Sequence, residues 1–373
     1  MKLENINTVN SNVRVLVAPL DWGLGHATRC IPIIYELLML NFDVLIAAEG
    51  KTKKLLQNEF PNLVFLPLRG YEVRYSKNKW LLFSSLFTQL PKLFRRIYYE
   101  HQWLKKIIKE NNIGMVISDN RLGMYNSTIP CIYITHQLKI KTGSRLTDRL
   151  AQKIHFFFIN KYSACWVPDN KAENNLAGDL SHPEFLPKTP VKYLGPLSRF
   201  EKNTVEKKYD YLVLISGPEP QRTIFEELML EELKNVSGKI MLVRGLPGDD
   251  KSLILNNDKI EIHNHLDAAA LNRAVLQSGI VICRSGYTSI MDLIKLDHKA
   301  ILIPTPGQTE QEYLAAYLMQ QKIFFSVPQN NFSLSAALNA ITDFPFTTID
   351  VKQDNYKEVI KELIQQFFSK AII

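Results

Sequence analysis

The side chains best suited to chemistry in this sequence lie in residues 280–316. An apolar run at 280–283 predicts a buried strand, and a turn at Ser285 and Gly286 leads into a helix that carries Asp292. Backbone amides at the start of a helix bind anions such as a diphosphate. A carboxylate two turns into that helix can accept hydrogen bonds from ribose hydroxyls. The spacing therefore predicts contacts to a diphosphate and to a ribose.

A second predicted strand, at 300–304, is followed by a turn and by a helix whose first residues are polar and can bind sugar hydroxyls. In a strand–helix–strand–helix unit, both loops that leave the strands open at the same edge of the sheet, where ligands bind. Contacts to phosphate, ribose and sugar in this order predict a nucleotide-sugar site, although an ordinary βαβ unit with a tight Ser-Gly turn has the same pattern. The residues assigned to the site are Arg284, Ser285, Gly286, Tyr287, Thr288, Asp292, Gln308, Glu310, Gln311 and Glu312.

This segment is similar to the donor-binding motif of the MurG-type transferases of glycosyltransferase family 28. Residues 283–286, Cys-Arg-Ser-Gly, match the motif, and Asp292 stands where the family has Glu. Gln311 and Glu312 stand where the family has a Gln-Gln pair. The resemblance implies the GT-B architecture, an α/β fold in which two Rossmann-like domains with parallel sheets face a central cleft. It also implies metal-independent transfer of a hexose or N-acetylhexosamine from a UDP-sugar to a lipid-linked or glycan acceptor, and Glu312 leaves the sugar open.

The rest of the sequence predicts two α/β halves, because short apolar runs are typical of parallel strands buried on both faces. We expect an N-terminal acceptor-binding domain at 1–199 and a C-terminal donor-binding domain at 200–350, with a helix in 351–373 crossing back to the first domain. The junction resembles the Gly-Asn-Pro-Val-Arg junction of the family at Gly195, Pro196 and Arg199. Strands are predicted at 13–19, 43–48, 63–67, 115–118, 131–135, 165–167, 211–215, 239–243, 280–283, 300–303 and 323–327, and a helix at 27–40.

The predicted first strand ends in a loop with two glycines, followed by His26 at the start of a helix. A histidine has a pKa near neutrality and is the usual general base for a hydroxyl group. The family carries a loop ending in Gly-Gly-His here, and the resemblance gives His26 that place; a helix-capping histidine is the alternative. Asp119, after a later strand, is a second candidate that orients or replaces His26 as the base. Acceptor contacts are assigned to Gly23, Gly25, Arg29, Asn120 and His136.

The first strand of the second half is followed by residues 216–222, Ser-Gly-Pro-Glu-Pro-Gln-Arg, which depart from the glycine-rich turn of the family. Two prolines remove amides that could bind phosphate. Arg222 is therefore the best candidate for a charged contact to the donor, and a surface arginine is the alternative. Leu266 corresponds to the position where the family's backbone contacts the base, or else is ordinary core. The donor residues assigned here are Ser216, Gly217, Arg222, Arg244 and Leu266.

The composition is that of a globular protein of about two domains, with 373 residues of which 46% are hydrophobic. Its four cysteines lack the spacing of a zinc site or a disulfide scaffold, and the sequence has no Asp-x-Asp metal motif. Neither a metal nor a cofactor is expected. The polar first residues and the lack of a long apolar run predict a cytoplasmic protein without a membrane span.

The net charge of +8 predicts an anionic partner, or serves solubility alone. Basic and aromatic side chains are interleaved in residues 77–109 and 139–161, a composition typical of helices that lie in an anionic bilayer interface. Peripheral binding at the inner face of the cytoplasmic membrane suits a lipid-linked acceptor, and apolar positions that simply face the N-terminal core are the alternative. No nucleic-acid-binding motif accompanies the charge, so nucleic acid is not an expected partner.

These assignments predict an inverting displacement. His26 or Asp119 takes the acceptor proton, while the helix start at 285–286 and Arg222 stabilise the leaving nucleoside diphosphate. A nucleotide-sugar hydrolase that releases UDP is the first alternative, because the Gly-x-Gly-His-x-x-Arg spacing of residues 23–29 also resembles the PseG-type hydrolases, which share the fold. A non-catalytic protein that binds a nucleotide sugar is the second.

Overall fold

The computed structural model describes residues 13–71, 79–142, 144–171, 174–248, 253, 257–330, 332–349 and 355–369. Two parallel sheets with associated helices make up this part of the chain, which confirms the predicted α/β class with two Rossmann-like halves. The side chains of residues 77–90, which belong to the first basic aromatic stretch, lie outside the described part.

The first sheet is built from the N-terminal half, and each pair of neighbouring strands is parallel. Its strands are β1 (Arg14–Pro19), β2 (Asp43–Ala47), β3 (Val64–Leu66), β4 (Ile113–Asp119), β5 (Cys131–Ile134), β6 (Ala164–Val167) and β7 (Val191–Tyr193). They lie in the order β3-β2-β1-β4-β5-β6-β7. The order changes direction between β1 and β4, and such a switch point is where α/β sheets bind ligands.

The second sheet repeats this plan in the C-terminal half, again with parallel neighbours. It consists of β8 (Tyr209–Leu214), β9 (Ile240–Val243), β10 (Ile260–His263), β11 (Ser278–Cys283), β12 (Ala300–Leu302) and β13 (Phe325–Ser326). The order is β10-β9-β8-β11-β12-β13, so the switch point lies between β8 and β11.

Helices form most of the crossover connections that parallel pairing requires, although the described residues between β4 and β5, between β6 and β7, and between β9 and β10 include no α-helix. The helices are α1 (Leu24–Met39), α2 (Gly50–Glu59), α3 (Lys79–Asn111), α4 (Arg145–Ile159), α5 (Gln221–Glu232), α6 (Ala268–Leu276), α7 (Tyr287–Lys295), α8 (Thr309–Gln320), α9 (Leu334–Thr342) and α10 (Asn355–Ser369). In the described part of the chain, none of them is both long enough and apolar enough to span a bilayer.

Burial explains why the strand predictions succeed. Residues 15–18 of β1 and 300–302 of β12 are fully buried, as expected for strands covered on both faces. Two edge strands, β7 and β10, are absent from the predicted set, because each includes a charged residue and is only partly buried. Helix α1 begins at Leu24 rather than at the predicted residue 27. His26 therefore lies within the first turn of the helix.

Helix α10 returns from the second half to the first. It contacts α1, and Tyr356, Ile360 and Ile364 are buried in the same core cluster as the inner face of α1. The apolar side chains of both halves thus continue across the junction. This packing sets how the loops at the carboxyl ends of the two sheets meet.

A buried ion pair fixes the loop that follows β4. Arg121 Nη1 lies 2.6 Å from Glu100 Oε1 on α3, and both side chains are about 1% exposed. The hydroxyl of Tyr71 donates to the other carboxylate oxygen at 2.6 Å, and Arg121 Nε donates to the carbonyl of Pro19 at the end of β1. The pair therefore ties α3 to the ends of β1 and β4, where Asp119 lies.

Replacing Glu100 with Ala should lower the free energy of unfolding by about 3–5 kcal/mol, because it leaves the Arg121 charge buried without a partner. Urea denaturation followed by circular dichroism measures the change. Glu110→Ala on the same helix is the matched control, since it breaks only the exposed pair with Lys106 and should cost at most about 0.5 kcal/mol. Equal losses in the two variants would contradict this account.

Candidate active site

The starts of two helices, one from each half, lie side by side at the carboxyl ends of the sheets. Thr288 Oγ1, in the first turn of α7, donates to the carbonyl oxygen of Gly25 in the first turn of α1, at 3.1 Å. Gly25 is needed for this approach, because a Cβ there would lie 2.9 Å from the same Oγ1. The structure therefore brings together the predicted acceptor loop and the predicted donor loop.

A buried cluster of charged and polar side chains joins the beginning of α1 to the end of β4. Arg29 Nε donates to Asp119 Oδ2 at 2.5 Å, and Arg29 Nη2 pairs with the other oxygen of the same carboxylate. His26 Nδ1 lies 3.0 Å from Asp119 Oδ1 and 2.9 Å from Arg29 Nη2. Arg29 Nη2 already donates to the Asp119 carboxylate, so Nδ1 of His26 carries the ring proton and donates it to Asp119 Oδ1. Nε2 is then the ring nitrogen of His26 with a lone pair for a substrate.

The ionisation of this cluster follows from its surroundings. Burial raises the pKa of Asp119, but the charge of Arg29, with that of His26, outweighs burial and holds this pKa well below its ordinary value. Burial and the charge of Arg29 lower the pKa of His26, although Asp119 opposes them. At neutral pH, Asp119 is therefore a paired anion and His26 is a neutral imidazole.

His136, at the end of β5, connects this cluster to the second half. Arg29 Nη1 lies 3.0 Å from His136 Nδ1, and His136 Nε2 lies 2.7 Å from Glu310 Oε1 on α8. An arginine can only donate, so Nδ1 of His136 accepts and Nε2 carries a proton toward Glu310. The ring also stacks on Tyr287, with 4.1 Å between centroids and 4° between planes. Hydrogen bonds thus run continuously from Asp119 to α8.

The polar residues near the start of α8 support the loop around it. Gln311 Oε1 accepts from the backbone N–H of Thr305, and Glu312 Oε1 accepts from that of Gly307. Ser285 Oγ donates to the carbonyl oxygen of Gln311 at 2.9 Å. Gln308 is the residue that precedes the first turn of α8. The predicted sugar contacts therefore lie next to Ser285, with several of their polar atoms bound to the backbone.

Open space borders the predicted phosphate loops. A Cβ added at Gly23, Gly217 or Gly286 would meet no atom within 4 Å. Gly286 precedes the first turn of α7, where backbone N–H groups carry partial positive charge. Open space therefore borders the start of α7, and the assignment of a phosphate to it stays a prediction.

Asp292 lies two turns into α7, facing the segment that joins the two halves. Its carboxylate is buried and accepts a hydrogen bond from Ser198 Oγ at 2.6 Å. Burial raises the pKa of Asp292 to about 6, while the charge of Arg199 and the Ser198 hydroxyl act in the opposite direction. This carboxylate is less fully compensated by positive charge than that of Asp119.

The three arginines assigned to the donor site are engaged within the second half. Arg222 Nη2 and Arg244 Nε both bind Glu226, at 3.1 and 2.6 Å. Arg284 is buried, donates to the carbonyl oxygens at 303 and 304, and lies over the ring of Phe225 at 4.0 Å. The structure thus places the guanidinium groups beneath the loops, where they hold loop backbone or the Glu226 carboxylate.

Ser216, Gly217, Leu266 and Asn120 are also assigned to the site from the sequence. Ser216 and Gly217 form the turn after β8, and Leu266 is a partly buried residue packed against the core. Asn120 follows Asp119 in the left-handed conformation, with a φ of 56°, which asparagine tolerates. In the part of the chain that the structure describes, no group of three or more His, Cys, Asp or Glu side chains is arranged to hold a metal.

One residue of the site was missed by the sequence analysis. Ser198 lies between Pro196 and Arg199 of the predicted junction but is not among the residues assigned to the site, and its contact with Asp292 spans 94 positions of the chain. The one available signal was its position beside Arg199 in the junction that resembles the family. Nothing in the local pattern predicts which carboxylate its hydroxyl contacts.

Comparison with known proteins also relates this chain to glycosyltransferases. Residues 223–367 match the glycosyltransferase family 28 C-terminal domain. An uncharacterized glycosyltransferase of Methanosarcina acetivorans is 21% identical, over 83% of this chain and 84% of its own. The UDP-N-acetylglucosamine--N-acetylmuramyl-(pentapeptide) pyrophosphoryl-undecaprenol N-acetylglucosamine transferase of Colwellia psychrerythraea is also 21% identical, over 81% and 79%.

The fold is shared with solved glycosyltransferases. The structure of spinosyn rhamnosyltransferase complexed with thymidine diphosphate superimposes with a TM-score of 0.59 at 14% identity, covering 96% of this chain and 94% of that one. This likeness confirms the predicted GT-B fold, and the family match confirms the resemblance to the MurG-type enzymes. The protein is a glycosyltransferase of the GT-B fold whose C-terminal half contains a glycosyltransferase family 28 C-terminal domain.

Proposed function

We propose that the protein transfers a hexose or N-acetylhexosamine from a nucleoside diphosphate sugar, UDP-linked, to a lipid-linked or glycan acceptor, with inversion and without a metal. The observation that carries the proposal is the meeting of α1 and α7 at their first turns, 3.1 Å apart at Thr288 and Gly25. This contact brings a histidine from one half next to an anion-binding helix start from the other. A sugar transferred between a nucleotide and an acceptor needs these two groups together.

The donor side of the proposal rests on α7. Its open start at Gly286 suits the diphosphate, and Asp292 suits the ribose. The Colwellia relative is named for a UDP-sugar, and the spinosyn enzyme binds thymidine diphosphate, so nucleoside diphosphates are the donor class to test. Asp292 and the resemblance to MurG-type enzymes favour a ribonucleotide, UDP.

His26 is the proposed base, and Asp119 orients it. Asp119 is a poor base, because the charge of Arg29 lowers its pKa. The neutral imidazole of His26 takes the acceptor's hydroxyl proton at Nε2 while the acceptor oxygen attacks the anomeric carbon. The bond from that carbon to the diphosphate breaks, and the start of α7 stabilises the negative charge that develops there.

The acceptor class is inferred from an exposed apolar surface on α3 and α4, which we call the α3–α4 face. Its exposed side chains include Tyr98 (66% exposed), Leu146 (77%), Leu150 (53%) and Phe157 (59%). Arg149 and Lys153 lie on the same stretch of α4. An apolar surface with neighbouring cations suits an anionic bilayer interface, so we propose peripheral binding at the cytoplasmic face of the membrane.

A thermal-shift panel of UDP-, GDP-, TDP- and CMP-sugars tests the donor assignment. We expect one nucleotide class to stabilise the protein, by about 2.7 kcal/mol at 100 times its Kd, and Asp292→Ala to lose this shift. His26→Gln should retain nucleotide binding and lower kcat by about 10²–10⁴-fold, whereas His263→Gln on β10 should change neither. Stabilisation by no nucleotide would contradict the proposal, and release of free sugar without any acceptor product would favour hydrolysis.

The rate should depend on pH through His26. Burial and Arg29 lower its pKa below 6.5, and the neutral form is the active one, so kcat/KM should reach a plateau above that pKa and fall as pH drops through it. In Asp119→Asn the acid limb should move to still lower pH, because the carboxylate that raises the pKa of His26 is gone. The measurement is kcat/KM, which reports the ionisation of the free enzyme. An acid limb above pH 6.5 in the unaltered enzyme would exclude His26 as the base.

The α3–α4 face should control membrane binding. Substituting Ser for Leu146, Leu150 and Phe157 together should reduce binding to vesicles containing anionic phospholipid by at least about tenfold. The reason is that three apolar side chains that would be transferred from water into the bilayer are lost. Vesicle flotation measures the bound fraction. Met39, on α1 and outside this face, is at least as exposed as these three residues, and Met39→Ser should bind as before. Undiminished flotation of the triple variant would remove the face from the proposal.

A further inference from the structure

The segment that joins the two halves is fastened to α7 at the level of the proposed ribose site. The backbone N–H of Leu197 donates to Met291 Sδ at 3.3 Å, and Ser198 Oγ donates to Asp292 Oδ1 at 2.6 Å. Leu197, Ser198, Met291 and Asp292 are all buried. Two consecutive residues of the joining segment thus contact two consecutive residues of the helix.

The hydroxyl of Ser198 has a fixed direction. The backbone N–H of Phe200 donates to its oxygen at 3.1 Å, which leaves the hydroxyl proton for Asp292. A donor on an ionised carboxylate forms one of the stronger hydrogen bonds in proteins. The Ser198 hydroxyl uses one lone pair of Asp292 Oδ1. Oδ2 and the other lone pair of Oδ1 remain to accept hydrogen bonds from ligand hydroxyls.

We propose that Ser198 is a positioning residue for the donor nucleotide, which holds the Asp292 carboxylate in the orientation that accepts the ribose hydroxyls. This inference rests on the proposed function, because it requires a nucleotide on α7. It adds that donor recognition depends on the segment between the halves as well as on the C-terminal half. The ribose therefore binds at the place where the two halves are joined.

The charges near Asp292 should also make nucleotide binding depend on pH. Burial alone favours the protonated carboxyl, and the Ser198 hydroxyl and Arg199 oppose it. Helix α1 also packs against α7 and contributes Arg29, whose charge is paired with Asp119. Loss of the Ser198 hydroxyl should therefore raise the pH at which Asp292 ionises, and nucleotide binding should then require a higher pH.

Calorimetric titration with UDP and with 2′,3′-dideoxy-UDP tests this directly. In Ser198→Ala we expect the Kd for UDP to rise about tenfold, the net effect of losing a hydrogen bond to a charged group, and the Kd for dideoxy-UDP to stay unchanged. Ser198→Thr retains the hydroxyl and should bind UDP like the unaltered protein. Ser198→Cys, nearly the same size with a weak donor, should fall between them. The pH midpoint of UDP binding should move upward in Ser198→Ala.

The titration separates the ways in which the inference could fail. Equal weakening of both ligands in Ser198→Ala and Ser198→Cys would mean a structural role and would overturn it, and so would an unchanged Kd for UDP. If the unaltered protein binds UDP and dideoxy-UDP equally, Asp292 does not bind ribose, and the inference about Ser198 is overturned while the proposed nucleoside diphosphate donor stands. If it binds no nucleoside diphosphate, the proposed function fails as well. Binding of dideoxy-UDP also shows that each variant is folded.

Discussion

The ion pair between Arg29 and Asp119 is the interaction on which the site depends. A charge buried without a partner costs several kcal/mol, so each of these residues requires the other. Their pairing joins α1 to the end of β4 and leaves Asp119 Oδ1 facing Nδ1 of His26. The same guanidinium reaches His136, which binds Glu310 on α8. One buried arginine therefore fixes the proposed base and connects it to the half that is proposed to bind the donor.

A nucleotide sugar must reach side chains that are buried in this structure. Ser285, Asp292 and Gln311 are all buried. Residues next to them make contacts between the two halves. Tyr287 stacks on His136, and Thr288 donates a hydrogen bond to Gly25. A nucleotide sugar that touches these groups must separate some of these contacts. Further hydrogen bonds join the halves, among them that of the Tyr287 hydroxyl to the carbonyl oxygen of Pro168 and that of Thr309 Oγ1 to the carbonyl oxygen of Lys141. The ligand must therefore supply contacts that replace those it separates. Closure around the ligand would then exclude water, which favours transfer over hydrolysis.

The sequence predicts the fold and the location of the site because both follow from local patterns. Apolar runs mark the buried strands, and ligands bind where parallel strands end, so residues as distant as His26 and Ser285 could be assigned to one cleft. The polar partners could not be predicted in the same way. Arg222 and Arg244 resemble phosphate contacts along the chain, but Glu226 binds both in the fold. The partner of Asp292 is likewise set by packing, since Ser198 lies in a segment with no distinctive pattern.

The pKa values of the two buried carboxylates, Asp119 and Asp292, are shifted in opposite directions, and this difference separates their proposed roles. Asp119 has an arginine bound to both oxygens, which lowers its pKa and makes it a permanent anion. Asp292 has a neutral hydroxyl and a more distant arginine, and burial raises its pKa to about 6. A fully paired carboxylate has little to gain from another donor and can serve only to orient its neighbour. A carboxylate whose burial is only partly compensated gains from each added hydroxyl, which is the property required of a group that binds a ribose and releases it again.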